Sequence, residues 1–178
     1  MKPEDKKKEY QLRIAGLEIG NHTFSMTCDK AFFEISELTQ LQDGEIKVQI
    51  EMEKSEKMMD LKFHFNGKVT APCDRCLDPV DLPLDFDEHL VVNLVPTEEK
   101  TSTEDDDIWM INENDSELDL FHFIYESILL ALPQQITHPD IDGQPSCNPE
   151  MIKILEDLSN KKPETDPRWE ALKNIKLD

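Results

Sequence analysis

The sequence is poor in bases, glycine, aromatic residues and long apolar runs, and each shortage removes a class of explanation. Of 178 residues only 19 are Lys or Arg against 39 acids, a formal charge of −20. Phosphate backbones are held by Lys and Arg that displace counterions, so this composition repels bare RNA and anionic membranes and attracts basic protein surfaces. Five glycines form no Gly-rich phosphate loop, and neither a GxSxG elbow nor an HExxH helix occurs. No stretch of about 18 apolar residues exists, and the charged start Met1 to Lys8 is followed by no apolar run of signal-peptide length, so the expectation is a cytoplasmic chain without a membrane span. In that reducing compartment the four cysteines, Cys28, Cys73, Cys76 and Cys147, are thiols or metal ligands rather than disulfides.

What is present is alternation. Ile46, Val48, Ile50 and Met52 alternate with polar residues between Glu45 and Lys54, and Leu61, Phe63 and Phe65 repeat the pattern after a turn at Ser55 to Lys57, which predicts an antiparallel pair with one face wet. Gly67 then allows a bulge or a close approach. Val80, Leu82, Leu84 and Phe86 alternate again and Leu90, Val92 and Leu94 resume the phase. Such length predicts a bend or bulge, with Pro83 at an edge. Earlier, Tyr10 to Ile14 and Thr23 to Cys28 read as strands, while Ala31 to Leu41 fits a strand or a short helix equally well.

The composition changes between Glu98 and Asp119, where ten acids face a single base, Lys100, and Ile108 to Ile111 form an apolar island. The acids read as solvated loop and the island as a strand in preference to a docking peptide. Glu104 to Asp107 lack the ligand spacing and central glycine of a calcium loop. Leu118, Phe121, Ile124, Tyr125, Ile128, Leu129 and Leu132 then recur at helical steps until Pro133, predicting one long helix with Asp115 or Ser116 as its cap. Two shorter helices are expected at Pro149 to Leu158 and Pro167 to Ile175, joined by a polar linker.

The only spacing that suggests chemistry is Cys73-Asp74-Arg75-Cys76, bracketed by Pro72 and Pro79. Thiolates at CxxC spacing supply two ligands to one ion from a single turn, and a structural zinc needs four. No second CxxC exists, so His138 and Cys147 are the suppliers of the other two, with Cys28 in reserve. Plain turn cysteines and a redox pair are the alternatives. The redox reading is the weakest, because the motif lies between strand patterns and a thioredoxin-like CxxC opens a helix. Arg75 is read as an ion partner of Asp74 or Asp78, and His64 as solvent-facing.

Gly67 followed by Cys73-Asp74-Arg75-Cys76-Leu77, Leu118-Asp119-Leu120 with Tyr125-Glu126 and Leu129 to Pro133, then His138, Cys147-Asn148 and Asp166-Pro167-Arg168-Trp169 together resemble the YceD-like proteins, the large ribosomal RNA subunit accumulation family, in its Bacteroidetes form. The resemblance implies a non-enzymatic role in accumulation of large-subunit ribosomal RNA. Relatives with a cysteine-rich tail differ from this chain, which offers only Cys147 there. Joined with the charge, this leads to a ribosome-biogenesis factor that engages a basic ribosomal or assembly protein through the acidic segment around Asp105 to Asp119, not RNA phosphates. A zinc-binding regulator and a thiol-disulfide protein using Cys73 and Cys76 are the rival functions.

The expected architecture is α+β: a bent antiparallel sheet or partial barrel covered by the long helix, in one domain over residues 1–148 with the acidic loop 98–119. A helical tail over 149–178 completes it.

Overall fold

The computed structural model describes residues 7–35, 41, 43–96, 108–141 and 144–160. The 98–107 part of the acidic loop and the second tail helix expected at Pro167 to Ile175 lie outside them.

The alternating segments form the strands they predict. β2 (Gly20–Cys28), β3 (Asp43–Lys54), β4 (Met58–Pro72), β5 (Pro79–Val95) and β6 (Ile108–Asn112) make a five-stranded sheet in that order. Its inward residues, among them Ile46, Val48, Ile50, Met52, Leu61, Phe63, Phe65 and Val92, are almost completely buried, each contributing roughly 1.5–3 kcal/mol by leaving water. The alternate residues face out and are mostly polar. β3 and β4 turn at Ser55, whose hydroxyl accepts from the Met58 N–H at 3.2 Å.

The expectation of a wholly antiparallel sheet is corrected. β6 runs parallel to β5, so the sheet is mixed, and it does not close into a barrel. β5 carries no bulge: its register against β4 is unbroken from Met58↔Asn93 to Pro72↔Pro79. A 17-residue strand is sustained because β4 accompanies it along nearly its whole length. Pro83 is tolerated because β6 pairs only with Val91 to Val95, so among the described residues no strand needs an N–H from Pro83. Gly67 marks a close approach instead of a bulge, since a Cβ there would meet the Glu45 carbonyl and the Ile46 backbone of β3.

The sheet's inner face is covered by short elements. α1 (Lys30–Phe33) is capped by Asp29, whose carboxylate accepts from the Phe32 N–H at 3.1 Å. β1 (Gln11–Arg13) pairs with β7 (Glu117–Asp119) as a separate two-stranded ribbon. α2 (Phe121–Leu130) has ten residues, so the long helix from Leu118 is not present. Leu118 is buried in either conformation, which is why helical spacing includes it. Its neighbours are taken by pairing with β1, and the Asp119 carboxylate, not Asp115 or Ser116, accepts from the Phe121 N–H at 2.9 Å. Phe123 of α2 packs on Phe63 of the sheet, with ring centroids 4.8 Å apart, and on Trp109 of β6 at 5.9 Å. No helix among the described residues is long and apolar enough to cross a membrane.

Candidate metal centre

The β4–β5 hairpin projects its CxxC turn beyond the sheet, and the chain after α2 returns to meet it. Within the turn the Cys73 N–H donates to the Asp78 carbonyl and the Leu77 N–H to the Cys73 carbonyl, both at 2.9 Å. The returning loop is fastened by a reciprocal pair: the Asp74 N–H donates to the Ile136 carbonyl at 2.7 Å and the Ile136 N–H to the Asp74 carboxylate at 2.6 Å. A short hairpin, β8 (Asp140–Ile141) with β9 (Gln144–Pro145), turns the loop back. Asn148 then donates to the Asp78 carboxylate at 3.2 Å and, through its own side-chain oxygen, caps α3 (Pro149–Ser159).

These fastenings bring together the four residues singled out by spacing and type. The Sγ atoms of Cys73, Cys76 and Cys147 and one ring nitrogen of His138 lie within 4.8 Å of one another. Cys73 and Cys147 are 3.9 Å apart at sulfur, and Cys76 Sγ is 3.5 Å from His138 Nδ1. Tetrahedral ligands with Zn–S of about 2.3 Å and Zn–N of about 2.0–2.1 Å stand about 3.8 Å (S to S) and about 3.5 Å (S to N) apart. A disulfide would need about 2.05 Å, and all four cysteines are free. His138 Nε2 contacts the Pro79 carbonyl at 3.3 Å. A carbonyl only accepts, so Nε2 would carry the proton when Nδ1 ligates an ion, the orientation a ligating histidine requires.

The electrostatics prepare one thiol. Burial by itself raises Cys73, but the backbone N–H groups of Cys76, Arg75 and His138, with the His138 side chain, outweigh it and hold the thiol down to about 6. Cys147 is pushed up, first by burial and then by its contact with Cys73. The negative charge on Cys73 is stabilised by the fold and one on Cys147 beside it is not, so a cation is what would let both ionise. Cys28 lies apart, buried in the main core under β2, with burial and then Asp29 raising it to about 12. It is no part of the cluster.

Leu77 closes the turn at φ 64°, the left-handed region that costs a side chain about 1–2 kcal/mol and glycine nothing. Its side chain is 69% exposed and loses little if removed. Leu77→Gly is therefore expected to raise stability by about 1 kcal/mol, read as a melting temperature a few degrees higher by calorimetry.

Arg75 does not pair with Asp74 or Asp78, which are committed to the returning loop, and its guanidinium stands 4.0 Å from Asp140, exposed. The fastening roles of Asp74, Asp78 and Asn148 are not legible in spacing, since their partners lie about 60 to 70 positions away in the chain. On the wet face of the sheet a groove of about 690 Å³ is lined by Gln49, Glu51, Lys62, His64, Asp87 and His89, among others. There His64 pairs with Asp87 at 2.8 Å and His89 with Asp60 at 2.7 Å. Among the described residues no Ser, Thr or Cys lines this groove as a nucleophile for either histidine.

The described residues thus form a mixed α and β protein in which three thiols and one imidazole converge where the β4–β5 hairpin meets the returning loop. The chain matches the family model for the large ribosomal RNA subunit accumulation protein YceD over residues 61–176, a span that contains all four cluster residues, and it belongs to that family. The comparisons find no matching curated protein and no matching solved structure.

Proposed function

We propose that this protein is a non-enzymatic cytoplasmic factor in ribosome biogenesis that supports accumulation of large-subunit ribosomal RNA by binding a basic ribosomal or assembly protein. The observation that carries the reading is family membership together with a formal charge of −20: the process is that of an RNA, yet the chain is charged to avoid phosphates. The acidic segment leading through β6 and β7 into α2 is the proposed contact. The Cys3His cluster holds one structural zinc ion in this reading, with Cys73, Cys76, His138 and Cys147 as ligands, and the ion fixes the β4–β5 hairpin to the loop before α3.

The lowered Cys73 thiol also suits a thiol-disulfide protein. Cys73 and Cys76 are 0% and 2% exposed, however, and a disulfide substrate needs an accessible attacking sulfur. Insulin reduction that is abolished by Cys76→Ser would restore that rival.

Binding of the full chain to naked large-subunit RNA and to purified basic ribosomal proteins, followed across salt concentration, tests the main reading. The expected result is protein binding that weakens with salt and RNA binding that is absent at physiological ionic strength. Tight, salt-sensitive RNA binding would overturn it.

A further inference from the structure

We propose that the open edge of β2 is a strand-addition site for an extended segment of a partner protein in which apolar residues alternate with Lys or Arg. β2 ends the sheet, and among the described residues no strand lies on its far side. Its nine residues, Gly20 to Cys28, include no Lys, Arg, Asp, Glu or Pro, in a chain that is 33% charged. Edge strands are normally guarded by charge, proline, bulges or shortness. β2 is long and uncharged, and it is regular, paired with β3 from Gly20↔Lys54 to Cys28↔Ile46 without interruption. Near its end the Tyr10 hydroxyl donates to the Thr27 carbonyl at 3.0 Å. The opposite edge is formed by the five residues of β6 and by the part of β5 before Val91, which carries Pro79, Pro83 and four acids.

The side chains around this edge select the occupant. On the inner side His22, Phe24 and Met26 are half-buried, so the inward residues of an added strand gain cover by being apolar. On the outer side Asn21, Thr23, Ser25 and Thr27 are short and exposed, and behind them in register β3 presents Glu53, Glu51, Gln49 and Lys47, with Glu45 and Asp43 continuing past the end of β2. An added strand sits about 4.8 Å from β2 and twice that from β3, a gap that Lys or Arg spans by laying its stem across Thr23 and Ser25. The groove of about 360 Å³ bounded by Thr23, Ser25, Gln49 and Glu51 receives it. A second copy of this chain is disfavoured, because it would set two acidic β3 faces side by side.

This rests on the reading of the partner as a basic protein and adds the surface and the conformation of the bound segment. The test is calorimetric titration of the full chain with a peptide of alternating valine and lysine, about nine residues long to match β2. Two N-methylated forms block alternate sets of its amides. A strand turns alternate N–H groups to opposite sides, so one form should lose roughly tenfold or more in affinity and the other should bind like the parent. Ser25→Lys should weaken the parent peptide. Equal affinity for the two methylated forms overturns the proposal, as does a concentration-dependent dimer of this chain that Ser25→Lys dissolves. Peptide discrimination without binding to any ribosomal protein would uphold the edge and remove the ribosomal reading. Ribosomal proteins bound undiminished by Ser25→Lys, with the methylated peptides equal, would remove the edge and leave that reading.

Discussion

Chelation of zinc from the purified protein is expected to lower its melting temperature by on the order of 10 °C, and Cys147→Ser to reduce bound metal from about one ion per chain to near none. The size follows from the free energy of structural zinc sites, which reaches about 10–16 kcal/mol in small peptides and appears as folding stability. A chain of this length moves roughly 2–4 °C per kcal/mol, so retention of even a few kcal/mol produces a shift of that order. Cys28→Ala is the control: Cys28 is buried away from the cluster, and that variant should keep its zinc. If metal analysis of the wild type finds no zinc, or if Cys28→Ala and Cys147→Ser lose it equally, the four ligands are wrongly assigned.

The same cluster sets a pH dependence. Cys73 is held down to about 6 from the ordinary 9.0. The stability this gives the metal-free fold is complete above the ordinary value and is lost as pH falls through about 6. Zinc loading at neutral pH should therefore release fewer than three protons, because Cys73 has already given up most of its own. Loading measured in buffers of different ionisation enthalpy counts the protons directly. Hydrogen exchange would locate the effect: after chelation, amides of Cys73 to Asp78 and of the loop around Ile136 should exchange faster, while β3, whose inward residues lie in the main core, should not.

Alternation made β3, β4 and β5 legible because one face of the sheet is wet, so Ile46, Val48, Ile50 and Met52 report their own orientation. Of the β1–β7 ribbon, β1 lies within the strand expected at Tyr10 to Ile14, while β7 was not legible: three residues carry little periodicity, and the pairing of Leu12 with Leu118 is a tertiary event. That ribbon also explains the misplaced helix start, since Leu118 satisfies both a helical face and an inward strand position. The direction of β6 was hidden because parallel or antiparallel pairing depends on the path of the connecting chain and not on side-chain pattern. At the site, Cys73 and Cys76 were legible from spacing. His138 and Cys147 were chosen by residue type, and their convergence depends on backbone contacts such as Asp74 to Ile136 that leave no trace in composition. Asp74 and Asp78 were read as partners of Arg75 because sequence shows near neighbours first.

Phe32→Ala is expected to destabilise the protein by about 3–5 kcal/mol, the usual cost of emptying a fully buried aromatic site. Phe32 is 0% exposed and its ring centroid lies 4.7 Å from Tyr10, 5.0 Å from Phe121, 5.3 Å from Phe33 and 6.2 Å from Tyr125. It is the point at which α1, α2 and the segment leading into β1 meet. A helix of four residues such as α1 has no stability of its own in water, so the insertion of Phe32 is what holds it, with the Asp29 cap adding about 1 kcal/mol. Removing the ring leaves a cavity whose walls come from three elements that cannot collapse together without breaking β1 from β7. Urea denaturation should show a lower midpoint with an unchanged slope. Phe24→Ala at the half-buried β2 edge should cost clearly less. If the two cost the same, the aromatic cluster is not what fastens the covering layer to the sheet, and the short elements are held by the β1–β7 pairing alone.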